Sequence, residues 1–393
     1  MVGMANPLYV GIDVGTSGVK VVIAAPPTSS ELPMTILGTG SAPSKGMRHG
    51  YVLDGREVTR CVKEAVGRAA QAAKIGVRKA RLGIGGVSLE ELRSSGEVTL
   101  TVSGGIVNER ERERVLKESE KKAVSKLLNR TILHTIPLDF RVDGTPVRGR
   151  PHGLQGTKLS VETLIISTLT QHHDDLVDAV EAAGIEVEGV MASPIAASFV
   201  TLTKAQKTAG VCLANIGAET TTLVVYDNDT PVSLKVFPIG SSDITNALAL
   251  AFQLPLPEAE QMKRGAVTGS DIPTKKMTMV VTAKLKELFS MTDAHLKSIG
   301  RQRLLPAGIV ITGGGSGALQ ITDIARTVLR LPAQVGLPAG ILRNGALDAS
   351  WAVSYGLCRW GFTEDTAAPL YSPGEIVRRT FDSMRAGFRS LLP

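Results

Sequence analysis

At 393 residues with 43% hydrophobic content, the chain is long enough for two domains with sizeable cores. Its 44 Lys and Arg outweigh 37 Asp and Glu, and the net charge of +7 suits an anionic surface. Aromatic residues make up only 4%, and no basic stripe is interleaved with them, which argues against a nucleic-acid partner. Cys61, Cys212 and Cys358 lie far apart without metal-ligand spacing and read as reduced thiols of a cytosolic protein. The N-terminus has no charged stretch leading into an apolar core, so no signal peptide is expected. No apolar run approaches the ~20 residues needed to span a bilayer.

The first strong element is Val10–Ala24, two β-branched runs around Gly15, Thr16, Ser17 and Gly18. That pattern predicts a strand, a tight turn and a second strand. Such a turn is either an ordinary glycine-rich hairpin or a nest whose N–H groups and hydroxyls face an anion. In the second case Asp13 is placed to hold hydrated Mg²⁺ through its waters, and Lys20 adds a positive charge. Thr35–Ser41 reads as a strand, Ala42–Asp54 as a loop, Arg56–Ile75 as an amphipathic helix and Ala80–Ile84 as a strand. The pattern then changes. Glu97–Val102 reads as a short strand, and Ile106 to about Asn129 as a charged, solvated helix with i,i+4 pairs. Ile132–Val142 and Leu159–Val161 read as strands around a Gly/Pro-rich loop, closing a small inserted module over 86–160.

Thr163–Leu169 reads as a return strand, followed by a helix at Gln171–Ala183, a strand at Val187–Met191 and a helix from Pro194. A second hairpin follows at Val211–Asp227. Aligned on the first, Asp13-Val14-Gly15 falls on Asn215-Ile216-Gly217, and Ser17 on Thr221. A repeated device implies two related halves presenting turns to one cleft. Val232–Ile239, Gly240–Phe252 and Leu256–Gly265 read as strand, helix and helix, with Glu260 and Lys263 one turn apart. Helical Val280–Ile299 is followed by Ala307–Ser316, an apolar strand entering Gly313-Gly314-Gly315-Ser316, where a ligand can approach the backbone closely. Leu319–Leu329 and Trp351–Gly361 read as helices. There is no Gly-x-x-x-x-Gly-Lys-Ser/Thr, which excludes a P-loop as the phosphate device.

After Pro373-Gly374 the tail Glu375–Pro393 sets Val377, Phe381, Met384, Phe388, Leu391 and Leu392 on one helical face, with Arg378, Arg379, Arg385 and Arg389 off it. An amphipathic helix of this kind either lies in the plane of a membrane or docks on the protein body.

Two phosphate-type hairpins followed by a glycine-rich loop resemble the actin-like ATPase superfamily, an α/β fold of two ribonuclease-H-like halves. The chain more closely resembles the FtsA family of bacterial cell-division proteins. Ala42–Gly50, Ile84–Val87, Ile132–Pro137 with Val142–Gly144, and Asp243–Ala247 with Glu258–Lys263 carry that likeness. It implies a first half of 1–85 and 161–205 with an inserted division-type subdomain at 86–160. The second half is then 206–251 and 304–362, with a small subdomain at 252–303, a linker at 363–374 and a membrane-targeting helix at 375–393. It further implies ATP and Mg²⁺ between the halves. Gly15, Thr16, Ser17 and Lys20 would meet the phosphates and Asp13 the metal, through water. Asn215, Gly217, Thr220 and Thr221 would form the second phosphate loop. Gly240, Glu260 and Lys263 match positions near ribose and base, and Gly313, Gly314, Gly315 and Ser316 match the adenosine loop.

The family's second loop usually reads Asp-x-Gly-Gly-Gly-Thr-Thr-Asp. Here Asn215 and Thr222 take the Asp positions, and Glu219 adds a carboxylate that repels phosphate unless it faces away or reaches Mg²⁺. The expectation is retained nucleotide binding with at most slow hydrolysis, and no residue is assigned as catalytic. The resemblance also implies a peripheral protein on the cytoplasmic face of the membrane at the division site. Its partners would be anionic lipid, further copies of itself in a filament, the FtsZ C-terminal peptide through the small subdomain, and other division proteins. The alternatives are an actin-fold pilus-assembly adaptor and a small-molecule kinase; the kinase lacks a candidate Asp base in the second hairpin.

Overall fold

A computed structural model describes residues 7–27, 32–100, 105–147, 149–265, 274–339, 341–342 and 347–366. The tail, residues 375–393, and with it Val377, Arg378, Phe381, Met384, Arg385, Phe388, Arg389, Leu391 and Leu392, lies outside them.

The chain opens with the expected hairpin, β1 (Tyr9–Val14) against β2 (Gly18–Ala25), then β3 (Thr35–Pro43). The expected loop after β3 contains a small ribbon, β4 (Met47–Arg48) paired with β5 (Tyr51–Val52). Helix α1 (Gly55–Ala73) starts where Asp54 Oδ1 accepts from the N–H groups of Arg56 and Glu57, so its N-terminal donors are capped. It buries Val58, Cys61, Val62, Ala65, Val66 and Ala69, the face its periodicity predicts. Gly40 of β3 lets the helix sit close, because a Cβ there would lie 2.1 Å from the Ala65 carbonyl oxygen. Strand β6 (Lys79–Ile84) pairs parallel with β1 and leads into the inserted module.

The module departs from the expected pattern in three ways. Strand β7 (Glu90–Thr99) begins earlier than position 97, because its polar residues are half-exposed and give no apolar signal. Helix α2 (Glu109–Val124) is shorter than predicted, and its observed charge pairs are spaced i,i+3, Arg112 with Glu109 and Arg114 with Glu111. It is also not solvated all round, since Glu111 and Ser119 are fully buried. After β8 (Arg130–Val142) and β9 (Thr145–Val147), the segments read as two strands form one continuous β10 (Lys158–Leu169). The order β7-β10-β8-β9 therefore makes one sheet that runs past residue 160, with α2 on one face.

Helix α3 (Thr170–Glu181), strand β11 (Glu186–Ala192) and helix α4 (Ser193–Thr201) complete the first half, whose sheet runs β11-β6-β1-β2-β3. Helix α5 (Lys204–Ala209) leads to the second hairpin, β12 (Val211–Ile216) against β13 (Thr221–Asp227), and then β14 (Thr230–Phe237). Alternation along β12 sends Val211 and Leu213 to the core around α4, and Cys212, Ala214 and Ile216 to a second core. That second core is built with α6 (Ser241–Phe252), α7 (Leu256–Lys263) and α8 (Thr274–Ser298). Strand β15 (Ile309–Thr312), α9 (Ile321–Leu329) and β16 (Ala333–Val335) finish this sheet in the order β14-β13-β12-β15-β16.

The chain then crosses back. Strand β17 (Ile341–Leu342) adds parallel to β3, and α10 (Ala352–Thr366) packs on β1. A Cβ on Gly11 would lie 2.0 Å from the Ser354 carbonyl oxygen, so the contact is backbone to backbone. This helix is expected in the second half, ending before a linker from 363. It belongs to the first-half core, with Val353, Leu357 and Trp360, and continues to Thr366. No helix among the described residues is long and apolar enough to cross a membrane.

Candidate functional site

The two hairpins turn in the same way. Gly15 N–H donates to the Gly18 carbonyl at 3.2 Å, and Gly217 N–H to the Thr220 carbonyl at 2.8 Å. These closing bonds set the correspondence of the repeat, so Ser17 falls on Glu219 and not on Thr221. Thr221 is a second correction. It sits inside β13, fully buried, and its hydroxyl donates to the Ile239 carbonyl at 2.8 Å. Its neighbours Thr220 and Thr222 line the cleft, as strand alternation requires.

The turns face each other across a cleft of about 1230 Å³, larger than the ~300–1,000 Å³ of ordinary ligand pockets and roomy enough for a nucleotide. Asp13, Gly15, Thr16, Ser17 and Lys20 line it from the first half. Asn215, Gly217, Thr220, Glu260, Lys263, Gly313, Gly314, Gly315 and Ser316 line it from the second. Gly240 does not line it. It packs behind the second turn, where a Cβ would lie 2.4 Å from the Ala218 carbonyl oxygen, and its N–H donates to Asp243 Oδ2. Further cleft-lining residues that carry no motif in the sequence are Arg68, from within α1, and Arg264, Ser241, Ser242, Asp348 and Ser350, from turns and helix ends.

Asp13, the last residue but one of β1, lies directly opposite Lys20 in the hairpin register. Burial pushes its carboxyl up from 3.8 to about 6, while Lys20 pulls it down. A carboxylate strained in this way gains from a cation, which fits a hydrated Mg²⁺. At the far end, Glu260 Oε2 accepts from Lys263 Nζ at 2.6 Å and from Thr245 Oγ1 at 2.6 Å, and Oε1 from Arg264 Nε at 2.8 Å. Burial alone would raise this carboxyl, but those three donors hold it below the usual range. Lys263 also donates to the Ser241 carbonyl and to Thr245, so the pair is held in place by groups of its own half. The glycine loop is close-fitted. Gly313 has φ +88°, and a Cβ there would lie 2.4 Å from Asn215 Oδ1. The Ser316 hydroxyl donates inward to the Gly313 carbonyl at 2.8 Å, so it shapes the loop.

The second turn presents no carboxylate to the cleft. Asn215, Thr220 and Thr222 line it, whereas Glu219 turns aside and accepts from the His49 backbone N–H at 2.5 Å. Of the two ways out foreseen for this residue, it faces away.

The chain is similar to known proteins in sequence and in fold. Residues 212–356 match the family model for cell division protein FtsA, and residues 86–167 match the SHS2 domain inserted in FtsA. The chain is 29% identical to the cell division protein FtsA of Borreliella burgdorferi over 96% of both chains. It is 28% identical to that of Bacillus subtilis, over 90% of this chain and 83% of the other. Among solved structures it superposes on a PilM–PilN type IV pilus biogenesis complex with TM-score 0.70 at 18% identity, covering 91% of this chain and 99% of that one. It also superposes on MreB 5 of Spiroplasma citri bound to AMPPNP, with TM-score 0.52 at 12% identity, covering 92% and 97%. These two likenesses are of fold.

Proposed function

Because the chain belongs to the FtsA family of bacterial cell-division proteins, we propose that it binds ATP with Mg²⁺ in the interdomain cleft, polymerises on the cytoplasmic face of the cell membrane at the division site, and tethers FtsZ filaments there. The observation that carries the nucleotide reading is the pair of identically closed turns facing each other, with the Glu260–Lys263 pair and the glycine loop at one end.

Gly15, Thr16, Ser17 and Lys20 would hold phosphate oxygens from the first half, and Gly217 and Thr220 from the second. Glu260 and Lys263 suit ribose hydroxyls, as acceptor and donor. Asp13 would orient the waters of Mg²⁺, which when bound neutralises phosphate charge. With Asn215 and Thr222 in place of carboxylates and Glu219 turned aside, no side chain that the second turn presents to the cleft can accept a proton from water at neutral pH, so turnover is slow and the nucleotide acts as a ligand that holds the halves together. The FtsZ C-terminal peptide is assigned to the small subdomain around α7 and α8, and membrane attachment to residues 375–393. Other division proteins and neighbouring copies complete the partner set.

The test is co-sedimentation with vesicles in the presence of Mg·ATP, comparing the full chain with one ending at Pro373. The full chain is expected to pellet, more so with anionic lipid, and to form filaments by electron microscopy. Equal pelleting of both chains, or none of either, would remove the membrane assignment.

A further inference from the structure

Glu219 places a carboxylate in a turn that otherwise offers amides and hydroxyls to an anion. A free carboxylate there would oppose phosphate. The structure gives this one another task. Its Oε2 accepts from the His49 N–H at 2.5 Å, and His49 Nδ1 lies 3.9 Å from the same oxygen. His49 is at the tip of the β4–β5 ribbon in the first half, 170 positions earlier in the chain, so this bond spans the two halves.

Both ends of the bond are anchored. The His49 carbonyl accepts from Val87 N–H at 3.2 Å, where the chain enters the inserted module. Gly50 beside it packs so closely on Gly86 that a Cβ would lie 2.4 Å from the Gly86 Cα. On the other side, the N-terminus of α6 holds the base of the second turn. Ser241 N–H donates to the Gly217 carbonyl at 2.9 Å and Ser242 N–H to the Ala218 carbonyl at 2.8 Å. The turn is therefore gripped by its own half at Gly217 and Ala218, and by the opposite half at Glu219.

We propose that Glu219 is a positioning residue for the terminal phosphate: by capturing the His49 amide across the cleft, it fixes the second turn in the shape that receives a nucleoside triphosphate. The proposal rests on the nucleotide reading above and deepens it. Two effects of the side chain oppose each other. Its charge repels phosphate, while its hydrogen bond orders the amides that bind it. The carboxylate lies outside the cleft lining and its charge is met by a donor, so ordering outweighs repulsion. The triphosphate carries one more phosphate to be met by donors than the diphosphate, so it depends more on the ordered amides of the second turn.

The test is titration of the full chain with fluorescent Mg·ATP and Mg·ADP analogues, using Glu219→Ala, Glu219→Gln and His49→Gly. Glu219→Ala is expected to weaken ATP about tenfold, the scale of a lost charge-assisted hydrogen bond, with ADP within about twofold. Glu219→Gln keeps an acceptor oxygen, and His49→Gly keeps the N–H at a φ of +48° that glycine adopts readily, so both stay within about threefold of the parent chain. ATP binding that is unchanged or tighter in Glu219→Ala would mean that repulsion dominates and would overturn the proposal. Equal weakening of ATP and ADP would also overturn it, as damage to the loop. A loss in His49→Gly as large as in Glu219→Ala would assign the effect to the imidazole and not to the amide. A parent chain that binds neither nucleotide would overturn the nucleotide reading and this inference together.

Discussion

Asp13 shows how one residue's burial sets the conditions under which the cleft operates. Its carboxyl is raised from 3.8 to about 6 by burial, against the pull of Lys20. A carboxyl raised in the folded state favours folding while it is protonated. That contribution is complete below the unfolded value and is lost as pH rises through about 6. Above that point the folded chain carries an anion that only a cation relieves. Ligand-free Asp13→Asn should therefore melt above the parent chain at about pH 8 and level with it at about pH 4. Mg²⁺ should tighten nucleotide binding to the parent chain, more at about pH 7.5 than at about pH 5.5, and add nothing for the variant. Thermal melts and titrations check both; equal melting at the higher pH would mean that Asp13 is well solvated. Other residues of the site were legible to different degrees. Gly313 announces itself as one of three consecutive glycines, and its φ and close contacts explain the need. Thr221 was misplaced, although parity along β13 was enough to separate it from Thr220 and Thr222. Glu219 could not be oriented, because its partner is a backbone amide in another half of the molecule.

Elements with one buried face declared themselves, and elements whose burial depends on distant partners did not. The face of α1 was read residue for residue, since Val58 to Ala69 follow the helical period and pack on one strand. Strand β7 escaped because its first residues, apart from Leu92, are charged or small and face water or β14. There Glu91 accepts from Leu234 N–H and from the Ser233 hydroxyl. Helix α2 looked solvated because buried Glu111 and Ser119 are polar, yet each has a partner, Arg114 and Thr163. The close seat of that helix is set by Gly96, where a Cβ would lie 2.0 Å from the Val115 carbonyl oxygen. Gly96→Val should lift α2 from β7 and cost about 2–3 kcal/mol, as overpacking does. Hydrogen exchange should speed up across β7, α2 and β10 while the β1–β2 and β12–β13 hairpins stay protected and nucleotide binding persists. Unchanged exchange in the module would show that the backbone approach is looser than it stands here.

At the scale of the whole molecule, the repeat of a strand-turn-strand unit made the two-half architecture readable, and the insertion appeared as a break in that pattern. The return of the chain to the first half did not appear. Strand β17 is short, and α10 is apolar on most sides, so its sequence suits either core. Its choice is made by close fits at Gly11 and at Gly356, where a Cβ would lie 1.9 Å from the Ala196 carbonyl oxygen. Arg81 secures the end of the helix, stacking over Trp360 at 5.5 Å and pairing with Glu188 and Glu364 at 3.4 Å. Helix α10 grips β1, and the chain reaches it from the second sheet, so the two halves that carry the turns are joined here as well as through α5. A ligand held by both turns therefore favours one relative position of the halves, which is the coupling a nucleotide-dependent polymer requires.

The most direct measurement is the structure of the full chain with Mg²⁺ and a non-hydrolysable ATP analogue. The account predicts phosphates lying between Gly15–Ser17 and Gly217–Thr220, ribose beside Glu260 and Lys263, and Glu219 still bonded to the His49 amide. An analogue that leaves the cleft empty at saturating concentration, or binds away from the two turns, would contradict it.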